Sequence, residues 1–259
     1  MKNLSILGLG VFALGAVAAQ ASTFTIDDPF NTVCSTPGST SCDVIGNRLS
    51  FDVQRGEFNF GTTSATIRLY FNYGATNTSL APFNVTASTV LSLGDLFIFG
   101  PGFSYGVALQ TRDTPVSGNV IEGTLYSINN PGGQLTAGQA LNGASDITYR
   151  PGELVWLRND GAGSITNAAT GGVSIASGGD GVNNAKFVAT ITLNYAAGSL
   201  VSSNLATGIP LIQFSSATCG NDILTNTPEP VSLGMIGIGL VLAGWGHRRR
   251  RNGRNPRAV

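Results

Sequence analysis

The chain has 259 residues, 42% of them hydrophobic and only 11% charged, against a usual charged share of about 25%. That balance excludes a disordered polymer, a coiled coil and a polybasic nucleic-acid binder. Gly reaches 35 residues, roughly double its ordinary share, but without the Gly-X-Y period of collagen.

The formal net charge of zero hides an asymmetry. All 14 acidic residues lie between Asp27 and Glu229, with only seven of the 14 basic ones: Arg48, Arg55, Arg68, Arg112, Arg150, Arg158 and Lys186. That stretch therefore carries a formal charge of −7. Such a charge disfavours nucleic acid and anionic membrane surfaces as partners.

Residues 1–21 read as a secretory signal peptide. Lys2 supplies a positive start, residues 4–19 are apolar, and Ala19-Gln20-Ala21 is an A-x-A cleavage pattern. The expected cut, by signal peptidase in the secretion machinery, falls between Ala21 and Ser22.

Residues 22–226 read as one all-β ectodomain. Alternating or β-rich runs predict strands at 48–53, 66–71, 84–91, 95–99, 105–110, 120–128, 153–157, 186–195 and 209–214. The run 186–195 is the clearest, with Phe187, Ala189, Ile191, Leu193 and Tyr195 on one face. No stretch shows a 3.6-residue period, and the density of Gly and β-branched residues disfavours helix. Many short strands between turn signals predict a single β-sandwich of the jelly-roll type. No fixed repeat supports a solenoid. Phe51, Phe58, Phe60, Tyr70, Phe71, Tyr73, Phe97, Phe99, Tyr126, Trp156, Phe187 and Phe214 are expected to dominate the core. Residues 129–144 and 159–184 read as long polar loops, the second with room for a short strand at 172–175.

The cysteines are Cys34, Cys42 and Cys219. Export implies an oxidising compartment. Cys34 and Cys42 flank a Pro-Gly turn, and closing that small loop would stabilise by about 2–3 kcal/mol. The expected disulfide is Cys34–Cys42, with a link from either to Cys219 as the rival.

The last segment, 227–259, has three parts in order. Pro228, Glu229 and Pro230 form a stiff extended start. Residues 231–246 are an uncharged, mostly apolar run, short for a transmembrane helix. Residues 247–259 are Arg-rich, led by His247, Arg248, Arg249, Arg250 and Arg251, which the positive-inside rule keeps cytoplasmic.

Taken together, the tail TPEPVSLGMIGIGLVLAGWGHRRRR resembles the PEP-CTERM sorting signal. The likeness covers about the last 30 residues. It implies an exported protein of a Gram-negative bacterium, held at the inner membrane as a precursor and processed at the tail by exosortase. It further implies a final place at the cell surface or outside the cell, in association with exopolysaccharide or biofilm. The residues NGRNPRAV after the Arg block depart from the family's shorter ending.

Catalytic chemistry is sparse. The one histidine, His247, lies in the tail, which leaves Ser-His-Asp and Cys-His catalysis without an imidazole base in the ectodomain. Zinc is disfavoured, because the cysteines lack any C-x-x-C spacing. Glu57 and Glu153 are the carboxylates a glycoside hydrolase would need. No cofactor is expected; calcium is the one cation the residue types suit, at Asp180 and Asn183, where an ordinary Asx turn is the competing reading. For a sugar ligand, Trp156, Tyr149, Asp160 and Asp180 are the candidates. The expected function is a non-enzymatic structural or adhesive surface protein. The alternative is a carbohydrate-binding module, calcium-assisted or not, with a glycosidase behind it.

Overall fold

In this computed structural model the described residues are 22–28, 33–34, 44–45, 52–73, 83–84, 90–91, 93–111, 119–140, 150, 152–159, 161, 163–178, 185–206, 210–215 and 222–226. The strands of the main sheet are β1 (Ser22–Asp27), β4 (Val53–Phe60), β5 (Ser64–Phe71), β8 (Leu96–Gly100), β9 (Phe103–Val107), β10 (Leu125–Ile128), β13 (Ile165–Ser177), β14 (Phe187–Asn194), β15 (Leu211–Ser215) and β16 (Ile223–Thr225). Three two-stranded ladders stand beside it: β2 (Val33–Cys34) with β3 (Val44–Ile45), β6 (Phe83–Asn84) with β7 (Val90–Leu91), and β11 (Gln134–Thr136) with β12 (Leu154–Leu157).

The ten strands pair in the order β1-β4-β5-β14-β13-β10-β9-β8-β15-β16, antiparallel throughout. The hairpin β4–β5 shows why these residues make strands. Phe58, Phe60, Ala65, Ile67, Leu69 and Phe71 are buried, while Asn59, Ser64 and Thr66 between them are exposed. A period of two puts the first set on the core and the second in water. On β14, Ala189, Ile191 and Leu193 join the same core as the sequence predicts.

The expected two-sheet sandwich takes a different form. β13 runs for 13 residues. Its first part, 165–169, pairs with β10, and its second, 170–177, pairs with β14. One strand therefore carries the ladder around the corner that would separate two sheets. The sheet coils back until β16 meets β4, giving an all-β, nearly closed barrel-like unit. Gly56 makes room for that meeting: a Cβ there would lie 2.6 Å from Leu224 Cδ2.

A second apolar cluster lies on the other side of β8. Leu96 and Ile98 belong to the barrel core, whereas Phe97 packs with Ala108, Val120, Tyr126, Leu157 and Ile165. The β11–β12 ladder supplies Leu157 to that cluster. Buried Asp95 pins the arrangement, accepting from Leu109 N–H at 3.1 Å and Leu157 N–H at 2.7 Å. The apolar run Leu96-Phe97-Ile98 is thus covered on both faces.

Further expectations change. Residues 129–144 are read as loop, yet they contain β11 and a short helix at Ala137–Ala140. Residues 159–184 are read as loop, yet they contain β13, whose outward residues are Thr, Asn, Ser, Gly and Ala. A helix, Leu200–Ala206, closes one end of the core with Val201 and Leu205. At seven residues it is too short to display a period. Of the expected core aromatics, Phe58, Phe60, Tyr70, Phe71, Tyr73, Phe97, Tyr126 and Phe214 are buried. Phe99, Trp156 and Phe187 are half-buried, and Phe51 lies outside the described residues.

Candidate binding groove

Most sequence-predicted site residues lie outside the described residues: Pro228, Glu229, Pro230, Arg248, Arg249, Arg250, Arg251, Ala21, Cys42, Tyr149, Asp160, Asp180 and Asn183. The apolar run 231–246 does too. Among the described residues no helix is long and apolar enough to cross a membrane. Cys34 is described in its backbone, where it pairs with Ile45. Ser22 is the first residue of β1, opposite Phe60.

The described candidates are not brought together. Trp156 sits on β12 between buried Val155 and Leu157, and its indole N–H donates to Leu93 C=O at 3.2 Å. Glu57 lies on β4 and accepts from Tyr70 O–H at 3.1 Å, with guanidinium groups of Arg55 and Arg68 each at 3.9 Å. Glu153 precedes β12 and accepts from Gln213 Nε2 at 3.0 Å. Burial raises the Glu122 carboxyl above its ordinary value, in the turn before β10. Glu57 and Glu153 sit on separate elements, each engaged by its own partners. No group of three or more His, Cys, Asp or Glu suited to a metal ion occurs among the described residues.

A groove of about 370 Å³ opens instead beside the tip of the β8–β9 hairpin. Its walls are the hairpin, the end of β10 and the helix Leu200–Ala206. The hairpin turns through Pro101 and Gly102, the latter at φ +81°. That left-handed conformation favours glycine. Phe103 folds back over Gly100, where a Cβ would collide with its ring. Tyr105 follows on the same side of β9, its ring 5.1 Å from that of Phe103 and tilted by 32°.

The polar lining is held in place by its own hydrogen bonds. Asn204, on the helix, donates through Nδ2 to Tyr105 Oη at 2.7 Å. Asn129 donates through Nδ2 to Gly163 C=O at 2.8 Å and accepts from Ser127 Oγ at 3.3 Å. Such bonds fix which way each amide points, so the amide faces do not have to be ordered on binding. The remaining lining residues are Gly100, Gly102, Ser104, Ile128 and Leu200. Among the described residues no charged side chain lines the groove. Leu200 is 75% exposed, the most exposed large hydrophobic residue among those described.

Family models, curated proteins and solved structures were all compared with this chain, and none matches. The groove's chemistry therefore has to be read from its own residues. Sequence reasoning passed over it. The pair Phe103 and Tyr105, two apart and preceded by Pro-Gly, is the local signal; Leu200 and Asn204 arrive only through the fold.

Proposed function

We propose that the protein is an exported, non-enzymatic surface or matrix protein whose tail is a PEP-CTERM sorting signal. The observation that carries this is the order of the tail: Pro228-Glu229-Pro230, the apolar run 231–246, then Arg248, Arg249, Arg250 and Arg251. In this reading residues 1–21 form a signal helix that is cleaved, and 231–246 form a short transmembrane helix. The precursor waits in the inner membrane until exosortase removes the tail. The ectodomain then reaches the cell surface or its surroundings, in contact with extracellular polysaccharide.

The placement of the strands is consistent with this division. Among the described residues the first strand is Ser22–Asp27 and the last is Ile223–Thr225, both inside the expected ectodomain. Asn226 fastens that end, accepting from Ile212 N–H at 2.6 Å and donating to Pro210 C=O at 2.8 Å.

Replacing Pro228, Glu229 and Pro230 by Ala in the native host tests the reading. The expected result is accumulation of a precursor that retains its tail in the membrane fraction. Processing at the normal rate would contradict it. The second reading, a carbohydrate-binding module, is favoured by the uncharged aromatic groove rather than by Trp156, whose indole N–H is engaged with the backbone of Leu93.

A further inference from the structure

We infer that the groove between the β8–β9 hairpin and the helix Leu200–Ala206 is a binding subsite for a neutral, hydroxyl-rich glycan. The inference rests on the reading of the ectodomain as an extracellular module without catalytic duty, and it assigns that module a ligand class and a place.

The lining selects the class. Charged ligands are recognised by opposite charges, and among the described residues none lines this groove. Residues 27–229 carry a formal −7, which disfavours anionic polymers. Among the described residues no carboxylate lines the groove to hold a bridging cation. What remains is the half-buried ring of Phe103 beside buried Tyr105, Ile128, one exposed leucine, two amides and two serine hydroxyls. An exposed leucine alone means nothing. In a concave wall with Phe103, and ringed by amides, it makes a surface that is apolar and hydrogen-bonding by turns.

A sugar ring has that same alternation. Its C–H face carries weakly positive hydrogens, which the negative face of an aromatic ring attracts. Its rim carries hydroxyls that both donate and accept. Phe103 and Leu200 offer the platform for the C–H face. Asn129, Asn204, Ser104 and Ser127 offer partners for the rim. Tyr105 accepts from Asn204 and so holds that amide in place. The volume of about 370 Å³ lies within the ~300–1,000 Å³ range of small-ligand sites. The site sits on a hairpin and a helix anchored in the core by Tyr105, Val201 and Leu205, so little ordering opposes binding.

The test is native affinity electrophoresis of the full chain, purified in detergent, through gels containing dextran, galactomannan, xyloglucan or alginate. The expected result is retardation on at least one of the three neutral polymers and none on alginate. Phe103→Ala should weaken that retardation about tenfold, the loss typical of removing an anchoring aromatic. Leu200→Glu should weaken it comparably, and at 75% exposure this change leaves the core untouched. Thr192→Ala, on the outward face of β14, should leave retardation unchanged. Passage through all three neutral gels at the control rate would overturn the inference. So would retardation on alginate alone, or retardation that survives Leu200→Glu. Tail processing is read separately in the host, so a failed groove beside normal processing overturns this inference and leaves the sorting reading standing.

Discussion

The side chain of Asp222 accepts a hydrogen bond from the backbone N–H of Val53, a residue 169 positions away. It does so from a fully buried position, while its other oxygen accepts from Ile223 N–H at 2.8 Å. One carboxylate thus joins the last strand of the sheet order to β4, where the coil comes round on itself. Hydrogen bonds to an ionised acceptor are stronger than neutral ones, and a buried donor left without a partner bears its full desolvation cost.

Asp222→Ala should therefore destabilise the ectodomain by about 1–3 kcal/mol. Thermal unfolding followed by circular dichroism would show a Tm several degrees lower. An unchanged Tm would mean that closure does not depend on this contact.

Gly171 and Gly172 make a paired test of β13. A Cβ on Gly171 would collide with the Thr192 carbonyl of β14, whereas a Cβ on Gly172 meets nothing within 4 Å. Gly171→Ala should cost about 1–3 kcal/mol or prevent folding, as overpacking does. Gly172→Ala should be neutral or stabilising by up to about 1 kcal/mol, through a less mobile unfolded chain. Equal effects of the two changes in a denaturant titration would show that β13 does not lie against β14 in this register.

How much was legible follows from these elements. β14 could be read directly, because Ile191, Leu193 and the following Tyr195 are buried while Thr192 and Asn194 between them are exposed. β13 could not, because its outer side is water-facing and its residues are small, so its sequence looks like a loop. Most of β4 lies beyond the strand expected at 48–53, of which 48–51 are outside the described residues; Gly56 interrupts the alternation within β4, and the approach of Leu224 explains it. The groove was half legible. Phe103 and Tyr105 alternate along one strand, but Leu200 and Asn204 come from a helix nearly a hundred residues later, and sequence spacing carries no sign of that meeting.

Tyr195 gives the fold an alkaline limit. Its hydroxyl lies 2.8 Å from both the Gly61 and Ser64 carbonyls. Burial pushes its pKa up from 10.0 to about 12. The unfolded chain loses this proton at lower pH than the folded one, so folding is penalised as pH rises. The contribution is complete below about pH 10 and is lost as pH climbs through 10.0 towards 12. Stability measured against pH should fall in that window, and Tyr195→Phe should flatten the fall. The Phe variant should also lose about 1 kcal/mol at neutral pH with the hydroxyl's hydrogen bond. An identical alkaline profile for both proteins would remove Tyr195 as the cause.

We propose that the folded unit lies between two removable address segments. The decisive experiment is the intact mass of the protein recovered from its native host, compartment by compartment. A species that begins at Ser22, ends between Thr227 and Pro230, and is found outside the inner membrane is expected. Mass beyond that of the bare chain would identify what replaces the tail. A species in the membrane that still carries residues 231–259 as its final form would contradict the account and make this a plain single-span anchored protein.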